Sequence, residues 1–187
     1  TKQVIYLNDG EIVEIGEAGF NVFDVNNNQV KKNIDQIEGD AQAAEKGGFA
    51  HFMLKEIFEQ PESIANSIRG RFVAEEGRAK LGGLEGAAAR TREIKKIIIV
   101  ACGTARLAGL VGKYMIEEYA GIPCEVDYAH EFRYRKSILD ETTALIAVSQ
   151  SGETADTLAA VKEANGKGAL TLGIVNVVGS SIARETF

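Results

Sequence analysis

Hydrophobic and polar positions along the 187-residue chain fall into three textures. In residues 1–34, short apolar runs alternate with turn residues. Val4-Ile5-Tyr6-Leu7 and Glu11-Ile12-Val13-Glu14-Ile15 flank Asn8-Asp9-Gly10. Asp-Gly there predicts a tight hairpin, because it tolerates positive φ at both central positions. Residues 20–25, an Asn26-Asn27-Asn28 turn and residues 30–34 predict a second hairpin. Two hairpins of this size cannot bury a core of their own, so they are expected to edge a larger sheet. Residues 35–50 lack periodicity, and with Gly47-Gly48 they predict a linker. From His51, Phe52, Ile57 and Phe58 recur among charges and predict a helix ending before Pro61. Proline favours a first helical turn, so a second helix is expected over residues 61–69, with Ile64, Ala65 and Ile68 on one face. Residues 74–93, charged and rich in Ala and Gly, predict a further helix with a looser middle.

From Ile94 onward the pattern changes. Ile97-Ile98-Ile99-Val100-Ala101 is a continuous β-branched run, as expected of a strand buried on both faces. After Cys102-Gly103-Thr104, apolar residues at 107, 110, 111, 114 and 115 follow helical spacing and predict an amphipathic helix. The unit recurs: Ala144-Leu145-Ile146-Ala147-Val148 leads through a polar turn into a helix carrying Leu158 and Val161. Residues 170–177 predict another strand, and residues 123–128 a shorter one between the two units. Strands alternating with helices imply an α/β fold, a parallel sheet with helices on both faces. Ligands in such sheets sit beyond the carboxyl ends of the strands, where both polar turns lie.

Composition narrows the class. The apolar share of 45% suits a globular domain, and the length allows one ordinary domain or one with a fragment attached. A net charge of −6, with 21 basic against 27 acidic residues, argues against a nucleic-acid partner. No apolar run reaches the roughly 18–20 residues that would span a bilayer, and no signal peptide opens the chain. Cys102 and Cys124 each border an apolar run and are expected as reduced, buried thiols of a cytoplasmic protein. The start at Thr1 and the end at Phe187, inside a helix start, suggest a stretch of a longer protein.

The densest candidate chemistry is Ser149-Gln150-Ser151-Gly152-Glu153-Thr154, between a buried strand and a helix. A helix start offers unpaired N–H groups and partial positive charge, which suit a phosphate. Hydroxyls add donors, and Gly152 would let the backbone approach the anion. The turn has no Lys and the chain no GxxxxGK[ST] pattern, which favours a single phosphate over a polyphosphate with Mg²⁺. The plainer alternative is that Ser151 caps the helix and Thr154 fills its first turn. Thr104 could likewise donate to a ligand or cap its own helix. Cys102 has no designated base beside it and is expected to be structural. His51 and His130 stand alone, without metal-ligand spacing, and no cofactor is implied. The run Glu131-Phe132-Arg133-Tyr134-Arg135-Lys136 is either a solvated ion-pair network or a cation source near a sugar-phosphate site.

Ala101-Cys102-Gly103-Thr104 together with residues 149–154 resembles the sugar isomerase (SIS) fold, a phosphosugar-binding module of three αβα layers. Residues 51–61, His-Phe-Met-Leu-Lys-Glu-Ile-Phe-Glu-Gln-Pro, are similar to the segment joining the halves of the isomerizing glutamine–fructose-6-phosphate aminotransferases. Gly121-Ile122-Pro123-Cys124 and residues 131–136 resemble the same family. The resemblance implies residues 1–37 as the last strands of an N-terminal-nucleophile glutaminase domain and 38–50 as a linker. It implies 51–93 as a helical lead-in and 94–187 as the first SIS lobe. It also implies conversion of fructose 6-phosphate and glutamine to glucosamine 6-phosphate and glutamate, with Thr104, Ser149, Gln150, Ser151 and Thr154 holding the sugar phosphate. A second SIS lobe, the glutaminase domain and a second copy of the chain are the partners implied; no membrane is. Ala105 stands where the family usually has Ser. The family's nucleophilic Cys, Schiff-base Lys and acid/base residues match no position here, so the stretch alone is expected to bind and not to catalyse. A phosphosugar-binding SIS regulator and a simple aldose–ketose phosphosugar isomerase are the rival readings.

Overall fold

The computed structural model describes residues 3–17, 19–36 and 45–187, and the chain divides into two compact units, Thr1–Arg69 and Gly70–Phe187. The first unit contains β1 (Gln3–Val4), β2 (Ile12–Gly16), β3 (Gly19–Phe23), β4 (Gln29–Val30), β5 (Asp35–Gln36) and helix α1 (Phe52–Ile68). The turn at Asn8 forms as its residues dictate: Glu11 N–H donates to the Asn8 carbonyl at 3.1 Å and Gly10 takes φ +82°. The hairpin expected around it does not form. β1 pairs with β5 in a two-stranded sheet of their own, and β2 pairs with β3 in a separate three-stranded one. The second hairpin is present as β3–β4, closed by the Asp24 carboxylate accepting N–H bonds from Asn26 and Asn28, both at 2.8 Å. Of the expected linker, residues 38–44 lie outside the described residues.

Helix α1 runs through Pro61, where two helices were expected. The ring removes one N–H. The carbonyl it would have met belongs to Ile57, which is 50% exposed, so water can serve that group and the flanking helix formers carry the helix on.

In the second unit, the helix expected over 74–93 is replaced by a hairpin, β6 (Phe72–Val73) with β7 (Arg78–Ala79), then a 3-10 segment Gly82–Ala87 and a short α2 (Ala88–Thr91). Gly77 turns the hairpin at φ +61°, and Gly82-Gly83 disfavour a regular helix. The remaining elements are β8 (Lys96–Ala101), α3 (Gly103–Ala120), β9 (Cys124–Tyr128), α4 (Ala129–Tyr134), β10 (Thr143–Ser149), α5 (Ala155–Gly166), β11 (Leu170–Val175) and α6 (Ser181–Glu185). Their strands form one parallel sheet in the order β11-β10-β8-β9.

Strand alternation serves both faces of this sheet. Ile98, Val100, Leu145 and Ala147 pack with Ala129 and Phe132 of α4, Ala160, Val161 and Ala164 of α5, and Ile182 of α6. Ile99 faces the other way, toward α3. Gly109 approaches so closely that a Cβ there would lie 2.9 Å from Ile99 Cγ2 and 3.3 Å from Val126 Cγ1. The expected three-layer arrangement is therefore present, with one difference. The apolar positions Leu107, Val111, Tyr114 and Met115 of α3 are exposed, Leu110 is half-buried, and Gly109 makes the helix's close approach to the sheet.

α4 was not legible as a helix, because its segment is dominated by charge. Its one fully buried large side chain is Phe132, while Tyr134 is 79% exposed. Phe132→Ala is expected to lower stability by about 3–5 kcal/mol and Tyr134→Ala by no more than about 0.5, as read from urea unfolding midpoints.

Candidate functional site

The order of the strands locates the crevice. β8 lies between β9 and β10. Helix α3 leaves β8 and leads to β9 on one side, whereas the chain later returns to form β10 on the other. Where connections depart in opposite directions, parallel sheets usually bind ligands above the carboxyl ends. Ala101 pairs with Val148, so Thr104 at the start of α3 and the turn after Ser149 crown adjacent strand ends. The sequence reading brought these two turns together, and the structure places them side by side.

Within the second turn the hydroxyls divide their work. Ser149 is buried, and its Oγ accepts the Gly152 N–H at 3.0 Å and lies 3.5 Å from Thr154 Oγ1. It shapes the turn from below. Ser151 is exposed; its Oγ accepts the Glu153 N–H at 3.2 Å, which leaves its own O–H proton to donate elsewhere. Gln150 and Thr104 are exposed too. Thr154 occupies the N-cap position of α5 without a side-chain cap bond, and Ser151 lies three residues ahead of it, so neither plays the capping part that the plainer reading gave Ser151. The first backbone bond of α5 runs from Leu158 N–H to the Thr154 carbonyl at 2.9 Å, so the N–H groups of 155–157 have no acceptor within the helix.

Gly152 has a different reason from the one its sequence suggested. It takes φ +69°, and a Cβ would point into the protein, not toward an anion: 2.5 Å from Ser180 Cβ, 2.7 Å from Val175 Cγ1, and closer still to Ser180 Oγ. The glycine lets the turn rest on the chain that follows β11. Two bonds reinforce that seat. Ile182 N–H donates to the Gly152 carbonyl at 2.9 Å, and Ser181 N–H donates to Glu153 Oε1 at 2.8 Å. Ser181, through its hydroxyl and its N–H, holds the Glu153 carboxyl below the usual carboxylate range, with Arg184 adding attraction.

Arg133 pairs with Asp156 in the first turn of α5 at 3.0 Å, and Arg135 with Asp127 at 2.5 Å. Arg133 and Arg135 of the basic run therefore take part in ion pairs. Arg135–Asp127 and Lys96–Glu125, at 3.2 Å, also place paired charges along the open edge strand β9, which discourages further strand pairing. Cys124 is buried, and burial pushes its thiol pKa up; Cys102 is half-buried at the N-cap position of α3. His51 and His130 are exposed, and among the described residues no group of three His, Cys, Asp or Glu could hold a metal. No helix of the described residues is long and apolar enough to cross a membrane. The sequence reading passed over Arg106, in the first turns of α3. Its guanidinium lies 4.0 Å above the Tyr128 ring and its Nε is buried without a hydrogen-bond partner. The signal was a basic residue two positions after Thr104.

The SIS domain model matches residues 92–187, which contain both turns and all four strands of the parallel sheet. The chain belongs to the SIS domain family. A glutamine–fructose-6-phosphate aminotransferase (isomerizing) of Chlorobaculum tepidum is 51% identical over 186 residues, covering 100% of this chain and 30% of that protein. One from Clostridium tetani is 50% identical over 185 residues, covering 99% of this chain and again 30% of the relative. The chain therefore spans about a third of the length of these curated relatives. Among solved structures, the C-terminal domain of glucosamine-fructose-6-phosphate aminotransferase from Francisella tularensis is similar with a TM-score of 0.68 and 41% identity, covering 76% of this chain and 39% of that one. Tagatose-6-phosphate ketose/aldose isomerase from Escherichia coli shares the fold at a TM-score of 0.57 and 16% identity, covering 79% of this chain and 39% of that one.

Two outcomes follow for this SIS turn. Gly152→Ala is expected to destabilise the chain by about 2–4 kcal/mol, from positive φ plus overpacking on Ser180. Adding Ser180→Gly should recover part of that loss in chemical unfolding, since it removes the nearest obstructing atoms. The Glu153–Ser181 contact also carries a pH sign. A carboxyl whose folded pKa is depressed contributes stability that is fully present above its ordinary value of 4.5 and fades as pH falls through the lowered value. The Ser181 amide resonance should therefore hold steady from neutral pH down past 4.5 and shift only in stronger acid.

Proposed function

We propose that this chain is the sugar-phosphate-holding part of an enzyme that makes glucosamine 6-phosphate and glutamate from fructose 6-phosphate and glutamine. The observation that carries the reading is the exposed Ser151 hydroxyl beside the free N–H groups of α5, one strand away from exposed Thr104. In this reading Thr104, Gln150, Ser151 and Thr154 donate to a phosphate while Ser149 holds the turn beneath them. Neutral donors and a helix start suit a phosphate dianion without a metal. The relatives' names support the substrate class, and the SIS match supports a phosphosugar ligand.

Residues 1–37 are then the last strands of a glutaminase domain, 38–50 a linker, 51–93 the lead-in to the isomerase half and 94–187 the first SIS lobe. The partners are the second SIS lobe, the glutaminase domain and a second copy of the chain in a homodimer. The setting is the cytoplasm, where thiols such as Cys102 and Cys124 stay reduced. Because no residue here matches the family's nucleophile or Schiff-base lysine, the chain alone binds the sugar phosphate and forms no product.

Calorimetric titration tests this reading. Fructose 6-phosphate should bind and unphosphorylated fructose should not, and Ser151→Ala should weaken binding by about 1–3 kcal/mol, the loss expected for a hydrogen bond to a charged group. Equal binding of both sugars, or an unchanged Ser151→Ala titration, would move the site elsewhere. Formation of glucosamine 6-phosphate by the isolated chain would contradict its non-catalytic role.

A further inference from the structure

A carboxylate inside a phosphate-holding turn is a contradiction unless its charge is engaged elsewhere. Glu153 stands between Gly152 and Thr154, where a free carboxylate would repel the ligand of the proposed function. In the structure it is turned away: Glu153 Oε1 accepts the Ser181 N–H at 2.8 Å. Arg184 reinforces this corner, donating to the Ser181 hydroxyl at 3.3 Å and to the Gly179 carbonyl. The adjacent Gly152 carbonyl is held by the Ile182 N–H, and no side chain would fit at 152 beside Ser180. The Glu153 N–H meanwhile is bonded to Ser151 Oγ, so the orientation of Glu153 bears directly on the hydroxyl expected to meet the ligand.

We propose that Glu153 is a positioning residue: by bonding to Ser181 it fixes Ser151 and the 150–152 backbone in the anion-holding conformation and keeps its own charge out of the crevice. The inference rests on the sugar-phosphate reading above for its ligand, and on the turn geometry alone for its structural half. It gives the segment after β11 a part in ligand binding although none of its side chains need touch the ligand.

Ser181→Pro removes the contact, together with the weaker Arg184–Ser181 hydroxyl bond. Ser181 is the first residue of α6, and Ser180 before it has φ −64° and ψ 165°, a backbone that accepts a following proline. The substitution removes the N–H and the hydroxyl while suiting the helix start. With fructose 6-phosphate as the probe, Ser181→Pro and Glu153→Ala are each expected to weaken binding by about tenfold or more, the scale of a charge-assisted hydrogen bond. The double variant should bind no more weakly than either single one, since both remove the Glu153–Ser181 bond on which the ligand site depends. Glu153→Gln, which keeps an acceptor oxygen, should recover part of the loss seen with Glu153→Ala. Without ligand, amide resonances of 150–152 should move in the same direction in both single variants. Wild-type binding with unaltered affinity in Ser181→Pro and Glu153→Ala would overturn the inference, as would strictly additive losses. If wild type does not bind fructose 6-phosphate, the proposed function fails. The ligand-free amide signature then decides the positioning role: shared shifts uphold it, and unmoved 150–152 amides refute it.

Discussion

Parallel pairing of β8 with β10 is the constraint from which the rest of the site follows. Paired strands lie about 4.8 Å apart, so two turns leaving their carboxyl ends are neighbours whatever their own sequences prefer. The reversal of strand order at β8 then sends the following segments to opposite sides, the arrangement in which parallel sheets usually bind ligands. Ala101 opposite Val148 fixes the register of the two turns to the residue. A slip of one residue would exchange Ile98 and Val100 for their neighbours in the core they share with Phe132 and Val161 and would lose the close fit of Gly109 against Ile99, so packing shape holds the register.

On that frame, the six residues of the second turn perform distinct tasks that share one geometry. Ser149 closes the turn from inside, Gly152 seats it on Ser180, and Glu153 secures it to Ser181, which together leave Ser151 and Gln150 facing outward. A polar run that looks uniformly suited to a ligand is thus part buried scaffold and part exposed surface. The division follows from burial: a hydroxyl below the surface must find a protein partner, while one at the surface can keep its proton for something else.

Much of this was legible in advance where the period of the chain was unambiguous. The β-branched run at 97–101 and the apolar run at 144–148 could be little other than buried strands, and the polar turns after them had to fall at one end of the sheet. The pairing of β1 with β5 was not legible, because a two-residue strand carries no periodicity and its partner lies far along the chain. The continuity of α1 through Pro61 depended on an exposed turn tolerating the lost bond, and α4 was hidden by charges whose partners, Asp156 and Asp127, come from other elements. Gly152 was recognised as special but for the wrong neighbour, since nothing local announces that Ser180 lies against it.

In the proposed function, two strand ends hold one anion jointly. Nuclear magnetic resonance of the ¹⁵N-labelled chain during titration with fructose 6-phosphate tests it most directly. Amide signals of 103–105 and of 150–153 should shift together along curves that fit a single dissociation constant. Movement confined to one of the two turns, or two curves with separate constants, would contradict it.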